Sequence, residues 1–197
     1  MTLPGVPLRR HIGFLLETLI PDTTERAMSP EALQLERELD QLHPAAFGWA
    51  LACCAGDRAA AEDALQASYL KILEGRARFD GRASFRTWLF SVVRYTAAGQ
   101  RRRAVLRRWL PLAALGATSD GRPDAVTELV RADGTRRLTA ALATLPRRQR
   151  EVLHLVFYQD LTIAEAAEVV RISLGTARTH YERGKAALRK LLKEELE

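Results

Sequence analysis

The sequence predicts an all-α protein of two small helical domains joined by a linker. Apolar residues recur at helical spacing in both halves, alanine is abundant, and no segment alternates with the two-residue period of a strand. Most residues that favour turns, in a segment without sustained helical or strand periodicity, lie in one stretch of the chain. Its residues are Gly116, Asp120, Gly121, Pro123, Asp133 and Gly134. The 197 residues suffice for one ordinary domain or two small ones.

The predicted elements follow in order along the chain. Residues 1–30 contain four prolines and are expected to form a loosely attached extension. The first domain covers residues 31–110, the linker residues 111–126, and the second domain residues 127–197. Periodicity places helices near 31–54, 59–75 and 84–108 in the first domain, and near 126–143, 147–157, 162–170 and 174–193 in the second.

The composition bears on the binding partner of the protein and on its cellular compartment. Thirty basic against 24 acidic side chains give a net charge of +6, and only four of the thirty are lysines. Arginine suits planar contacts to phosphate and guanine, although a GC-rich genome also enriches it. Cys53 and Cys54 are adjacent and too few for a zinc site or a disulfide framework, which predicts a reducing compartment. With no apolar run long enough to span a bilayer, the expected location is the cytoplasm.

The sharpest motif lies in the second domain, where a short helix, a turn and a longer helix follow one another. Thr162 and Glu165 form a Thr-x-x-Glu capping box, and Ser173 can cap the second helix. Ala177, Tyr181, Gly184, Leu188 and Leu191 share one face of that helix. The opposite face carries Arg178, Thr179, Glu182, Arg183 and Lys185. This is the helix-turn-helix arrangement that reads the major groove, and a solvated face on a helical hairpin is the alternative.

Two helices of the first domain also carry patterns of interest. Over residues 61–72, Ala64, Leu65, Tyr69 and Ile72 are predicted to pack inward, leaving Glu62, Asp63, Gln66 and Lys71 exposed. The next helix is rich in aromatic residues and is apolar over more of its circumference than one core contact explains. Exposed aromatic rings next to arginine suit stacking on unpaired bases.

That aromatic helix ends in a basic run. Residues 101–108 hold five arginines, and no acidic residue lies between Asp80 and Asp120. The run therefore has no local counter-charge, and nucleic-acid phosphate is the expected partner.

These motifs, in this order, resemble the extracytoplasmic-function (ECF) group of bacterial sigma factors. The resemblance covers residues 31–110 and 127–193, and rests on the segments Ala61–Ile72, Arg78–Tyr95, Leu145–Leu153 and Leu161–His180. It implies a transcription initiation factor that binds core RNA polymerase and promoter DNA, reading a duplex −35 element and an opened −10 element. An anti-sigma factor is a common further partner in this group.

The resemblance also implies which residues make each contact. The −35 contacts would come from Gly175, Thr176, Arg178, Thr179, Glu182 and Arg183. The −10 contacts would come from Phe79, Arg82, Trp88, Tyr95, Arg101, Arg102 and Arg103. Polymerase would be bound by Glu62, Asp63, Gln66 and Tyr69. No cofactor, metal or catalytic residue is implied, because the factor acts by binding.

The chain departs from the family pattern at four positions. Members often carry Glu where Ala67 stands, Asn at Tyr95, Asp at Gly99 and Gly at Arg171, where a left-handed residue is wanted in the turn. The change at Tyr95 leaves the base preference at the −10 element open. The changes at Tyr95 and Gly99 also leave open a degenerate paralogue that binds only polymerase or an inhibitor.

Two other classes of function are weaker alternatives. The helix-turn-helix alone also resembles the output domain of LuxR-type regulators, so a stand-alone regulator remains the main alternative. Such a regulator would need a sensor or dimerisation module, which the first domain does not resemble. An enzyme is not expected, because the four histidines are scattered without a carboxylate or Cys partner at a recognisable spacing, and no phosphate-binding glycine loop is present.

Overall fold

The computed structural model describes residues 30–109 and 140–194. Within these ranges six named helices occur and no strand. They are α1 (Pro30–Cys53), α2 (Arg58–Leu73), α3 (Phe85–Trp109), α4 (Arg147–Phe157), α5 (Ile163–Val170) and α6 (Leu174–Glu194). Residues 140–144 are also helical. The predicted all-α class is therefore confirmed.

Each of the six helices begins and ends within two residues of its predicted limits. The helix predicted over 126–143 is described only at its end. The linker predicted at 111–126 lies outside the described residues, as does the extension apart from Pro30, which begins α1. None of the helices in the described ranges is both long and apolar enough to cross a membrane.

Local chemistry explains where several helices start. The Asp57 carboxylate accepts a hydrogen bond from the backbone N–H of Ala60 at 3.0 Å and caps α2. Ser84 caps α3 in the same way, since its hydroxyl accepts from the backbone N–H of Thr87 at 3.1 Å. Such caps satisfy amide groups that the first helical turn leaves without partners.

By its contacts the chain divides into two units between Ala46 and Phe47, inside α1. In the first unit, Leu39 and Ala46 are buried. The second unit contains everything from Phe47 onward. There α2 packs along α3, and the indole of Trp49 donates a 2.9 Å hydrogen bond to the carbonyl of Phe90. This bond satisfies the one polar atom of a fully buried tryptophan.

The C-terminal helices α4, α5 and α6 pack on one another in the same unit. Their core comes from Val152, Leu155, Val169, Val170 and Ala177, all buried. Helix α5 also packs against α3, so the helix-turn-helix and the aromatic helix are in direct contact.

Candidate nucleic-acid interface

The predicted helix-turn-helix is present with its predicted caps. The Thr162 hydroxyl accepts from the backbone N–H of Glu165 at 3.2 Å, and the Glu165 carboxylate accepts from the backbone N–H of Thr162 at 2.8 Å. The carboxylate also accepts a 2.7 Å bond from the Thr162 hydroxyl, and the two bonds that it accepts lower the pKa of Glu165, because they favour its charged form. Ser173 caps α6 by accepting from the backbone N–H of Thr176 at 3.1 Å.

The turn between α5 and α6 adopts the left-handed conformation that the sequence indicated. Arg171 stands there with φ 54° and ψ 58°, and its backbone N–H bonds back to α5. A glycine would adopt this conformation without steric cost, whereas arginine adopts it with some strain. The departure from the family pattern therefore leaves the turn geometry intact.

Six residues predicted to contact DNA form one exposed surface on α6, here called the recognition face. It consists of Gly175, Thr176, Arg178, Thr179, Glu182 and Arg183, all exposed. On the opposite side, Ala177 and Gly184 are buried. A Cβ at Gly184 would lie 2.9 Å from Leu153 Cδ1 and 3.1 Å from Gln149 Cβ, so the crossing of α6 over α4 requires a residue without a side chain. Lys185 differs from its prediction, since it is half-buried and lies over the Tyr181 ring.

A second surface is built from aromatic rings at the start of α3. Phe79, Phe85 and Trp88 form an aromatic cluster whose ring centroids are 5.2–5.5 Å apart. Phe79 is 43% exposed. The loop beside it turns at Gly81, whose φ of 73° favours glycine, and Arg82 extends from it with an exposed side chain. The structure thus brings Phe79 and Trp88 together with Phe85, whereas Arg82 lies on the neighbouring loop in an ion pair with Asp80.

Tyr95 lies two turns beyond Trp88 on α3 and is 59% exposed. Two cations approach its ring, with Lys71 Nζ 5.8 Å and the Arg171 guanidinium carbon 6.0 Å from the centroid. The prediction that Lys71 is exposed was wrong. Its ammonium group donates a 2.9 Å hydrogen bond to Thr96 Oγ1, and burial lowers its pKa. The two residues are 25 positions apart, so helical periodicity alone gives no sign of the bond.

The basic end of α3 is exposed at Arg101, Arg102 and Arg103. Arg101 is also used within the fold, because it donates a 3.3 Å hydrogen bond to the carbonyl of Cys53 at the end of α1. Cys53 itself is buried, and burial raises its pKa well above the ordinary value, as expected of a small core residue. Arg102 and Arg103 are therefore better placed than Arg101 to contact a phosphate.

The polymerase-binding residues predicted on α2 do not all lie at the surface. Glu62, Asp63 and Gln66 are exposed, and Arg58 forms an ion pair with Glu62 at 2.9 Å. Tyr69 is only 4% exposed, so the prediction that it contacts polymerase directly is corrected to a role in the core. The spacing of the apolar residues in α2 also predicts that Tyr69 faces the core.

A buried ion-pair cluster lies where α3 meets α4, and its partner from α3 could not be predicted from sequence. Glu151 is 3% exposed and accepts from Arg94 of α3 at 3.2 Å. It also pairs with Arg147 at 2.7 Å and Arg148 at 3.0 Å, both from its own helix. Because Glu151 lies 57 residues from Arg94, only the folded structure identifies them as partners.

Comparison with known proteins matches both halves of the chain. The model of sigma-70 region 2 matches residues 39–107, and that of sigma-70 region 4 matches residues 135–188. The ECF RNA polymerase sigma factor SigX of Bacillus subtilis is 34% identical over 149 residues, 71% of this chain and 76% of SigX. The ECF RNA polymerase sigma factor SigF of Caulobacter vibrioides is 34% identical over 128 residues, 64% of this chain and 68% of SigF.

A solved structure shares the fold. It is the sigma factor RpoE of Bartonella quintana in complex with the anti-sigma factor NepR, at 21% identity and a TM-score of 0.63. The match covers 81% of this chain and 97% of that one. This likeness concerns the fold. The matches to regions 2 and 4 and the identity to SigX confirm the family expected from the motifs: the chain belongs to the ECF RNA polymerase sigma factors, which are transcription initiation factors.

Proposed function

We propose that this sigma factor binds core RNA polymerase through the exposed face of α2 and directs it to promoters through two separate DNA surfaces. One observation carries the proposal. A single chain presents an exposed basic recognition face on α6 and, on α3, an aromatic cluster with Phe79 exposed at the start of the helix and exposed arginines near its end. Duplex reading and capture of unpaired bases need these two different kinds of surface.

The recognition face would read the −35 element as duplex. Arg178 and Arg183 carry planar guanidinium groups that can donate two hydrogen bonds to one guanine. Gly175 and Thr176 lie in the first turn of α6, where backbone N–H groups and the helix dipole favour a phosphate. The packing of Gly184 against α4 fixes the angle at which these groups are presented.

The aromatic cluster would act on the −10 element after the strands separate. Unpairing a base costs a few kcal/mol, so a protein that binds only the unpaired form shifts that equilibrium toward the open duplex. Phe79 is exposed enough to stack on such a base, and Arg82, exposed on the same loop, would contact the DNA backbone. Arg102 and Arg103 would hold phosphates further along, and Tyr95 would face the DNA between the two groups.

This function is performed by binding alone, in the cytoplasm, where core RNA polymerase is found. No chemical step on a substrate is included in the proposal. An anti-sigma factor is a further proposed partner, since the related RpoE was solved in complex with one.

The test is run-off transcription by purified core polymerase on fragmented genomic DNA, with and without the protein, followed by sequencing of transcript 5′ ends. New start sites that share two upstream elements are expected. Core binding without new starts would instead favour the degenerate paralogue. Absence of both would favour the stand-alone regulator.

Matched variants assign the new starts to the proposed surfaces. Gln66→Arg on α2 should abolish binding to core polymerase, whereas Ala59→Arg on the same helix should not. Arg183→Ala should reduce the new starts, whereas Arg189→Ala, which removes the same charge further along α6, should leave them unchanged. Equal effects within either pair would contradict the assignment of that surface.

A further inference from the structure

The exposed ring of Tyr95 has a charged partner on the neighbouring helix. Tyr95 is 59% exposed on α3, the helix proposed to contact the opened −10 element. The Lys71 Nζ atom, which comes from α2, lies over this ring at 5.8 Å from its centroid. An ammonium group in that place is attracted by the negative charge of the aromatic face. The ring is therefore held from outside its own helix.

Lys71 is itself fixed by a hydrogen bond between the two helices. The side chain is half-buried, and its ammonium group donates a 2.9 Å hydrogen bond to the Thr96 hydroxyl. Thr96 follows Tyr95 on α3 and is only 2% exposed, so the packing of α2 along α3 fixes the acceptor. A solvated lysine would lose rotamer freedom on being ordered over a ring, whereas this bond orders it in the folded chain. The cation is thus in place before any ligand binds.

The accessible part of the Tyr95 ring suits one kind of contact with a base. Asparagine, the residue of the family pattern at this position, has a donor and an acceptor side by side that can bond to N6 and N7 of adenine. Tyrosine has a single hydroxyl and a flat π face instead. Stacking on the face of an unpaired base is the contact for which such a ring is suited.

We propose that Lys71 is a positioning residue, which holds the Tyr95 ring ready to stack on an unpaired −10 base, so that this sigma factor selects a purine at one position by stacking. This inference rests on the proposed function and adds to it the class of base at that position. Purines have a larger π face than pyrimidines, and preferences in single-strand binding follow stacking strength. Because stacking does not read the edge of a base, adenine and guanine should be accepted nearly alike.

Positioning matters here because an exposed aromatic side chain on a helix can occupy more than one rotamer. Immobilising such a side chain when DNA binds would offset part of the stacking energy. Lys71 reduces that cost, since the ring already has a preferred place in the free protein. The Arg171 guanidinium is a second cation near the ring, 6.0 Å from its centroid, so loss of Lys71 should weaken the hold without abolishing it.

The first experiment measures base preference. Core polymerase carrying the full chain selects from forked duplexes whose −10 segment is unpaired and random in sequence, and the bound molecules are sequenced. The original protein should favour purines at one unpaired position. Tyr95→Leu should abolish this preference and lower the affinity for purine-containing forks about tenfold. Lys71→Met, which keeps the side-chain length but loses the charge, should weaken the preference and lower that affinity about threefold. Lys71→Arg keeps a cation near the ring and should restore both.

The second experiment reports stacking directly. The fluorescent base 2-aminopurine replaces the favoured purine, and its emission falls when it stacks. The emission should be lowest in the complex of the original protein, higher with Lys71→Met and highest with Tyr95→Leu. Arg76→Met is the matched control, because it also removes one positive charge, from the segment that follows α2, where Arg76 pairs with Glu74. It should leave the preference and the emission unchanged.

The proposal is overturned if Lys71→Met leaves preference and emission as they were, or if Arg76→Met changes them equally. An equal loss of affinity for every base at that position would also overturn it, since Lys71 would then act only as a general positive charge. Binding of duplex −35 DNA by the Lys71→Met protein, expected to be unchanged, shows that the variant is folded. If the original protein with core polymerase binds no forked duplex, the proposed function fails and this inference with it. Binding without a purine preference would contradict this inference alone.

Discussion

His154 offers a direct test of the packing between α4 and the end of α1. Its ring lies between those of Trp49 and Tyr158, with centroids 5.4 and 5.2 Å away. Burial lowers the pKa of His154 from 6.5 to about 4, because the protein interior disfavours the charged imidazole. We therefore predict that the folded state is destabilised when the pH falls below 6.5.

The sign and size follow from the two pKa values. Above pH 6.5 the ring is neutral in both the folded and the unfolded chain, and it has no effect on stability. Between pH 6.5 and about pH 4 only the unfolded chain takes up the proton, so the free energy of unfolding decreases as the pH decreases. At about 1.36 kcal/mol per pH unit the loss is at most about 2 kcal/mol at pH 5 and about 3.4 kcal/mol below pH 4.

The assay compares urea unfolding of the original protein and of His154→Gln at pH 7 and pH 5. Contributions from other titrating groups cancel in the difference between the unfolding free energies of the two proteins. That difference should change by about 2 kcal/mol from pH 7 to pH 5, in favour of the variant at pH 5. An NMR titration of the His154 ring gives the same answer independently. An unchanged difference, or a ring that titrates near its ordinary pKa, would refute the reasoning.

Three further predictions concern helix packing, capping and DNA reading. Gly184→Val should lower the free energy of unfolding by about 1–3 kcal/mol in chemical denaturation, because the crossing of α6 over α4 has no room for a side chain. Gly99→Ala should raise that free energy by up to about 1 kcal/mol, because a Cβ at position 99 would meet open space. Thr162→Ala should cost about 1 kcal/mol of stability by the same measurement, through loss of the capping box. Arg178→Ala should cost about 1–3 kcal/mol of −35 binding and relax preference at one base pair in a selection from random duplexes. Uniform weakening on all sequences would mark a phosphate contact instead, and Arg189→Ala is the control.

The features that could be predicted from sequence are those set by neighbours along the chain. The limits of α5 follow from the box formed by Thr162 and Glu165, which acts over three residues. The recognition face follows from helical periodicity, because small and apolar residues such as Ala177 must face the core. The aromatic cluster was predictable in part, since Phe79 and Trp88 flank one short loop.

The features that could not be predicted depend on partners that are distant in sequence. Periodicity assigned Lys71 to the surface, yet its long side chain reaches Thr96 on the neighbouring helix. The net charge of α3 gave no sign that Arg94 meets Glu151, because ion pairing across 57 residues requires the tertiary fold. The contact between Arg171 and Tyr95 could not be predicted either, although the departure of each residue from the family pattern was visible in the sequence.

The contact at Tyr95 has a consequence for how this protein can evolve. The ring faces Arg171 and stands among the residues proposed to meet the −10 element. One substitution there would alter both the proposed −10 contact and the packing of α3 against the turn of the helix-turn-helix, so selection could not act on either trait separately. A second change at Arg171 would restore the packing without altering the proposed −10 contact. We therefore expect lineages that acquire a new base preference at position 95 to acquire compensating changes in the turn as well.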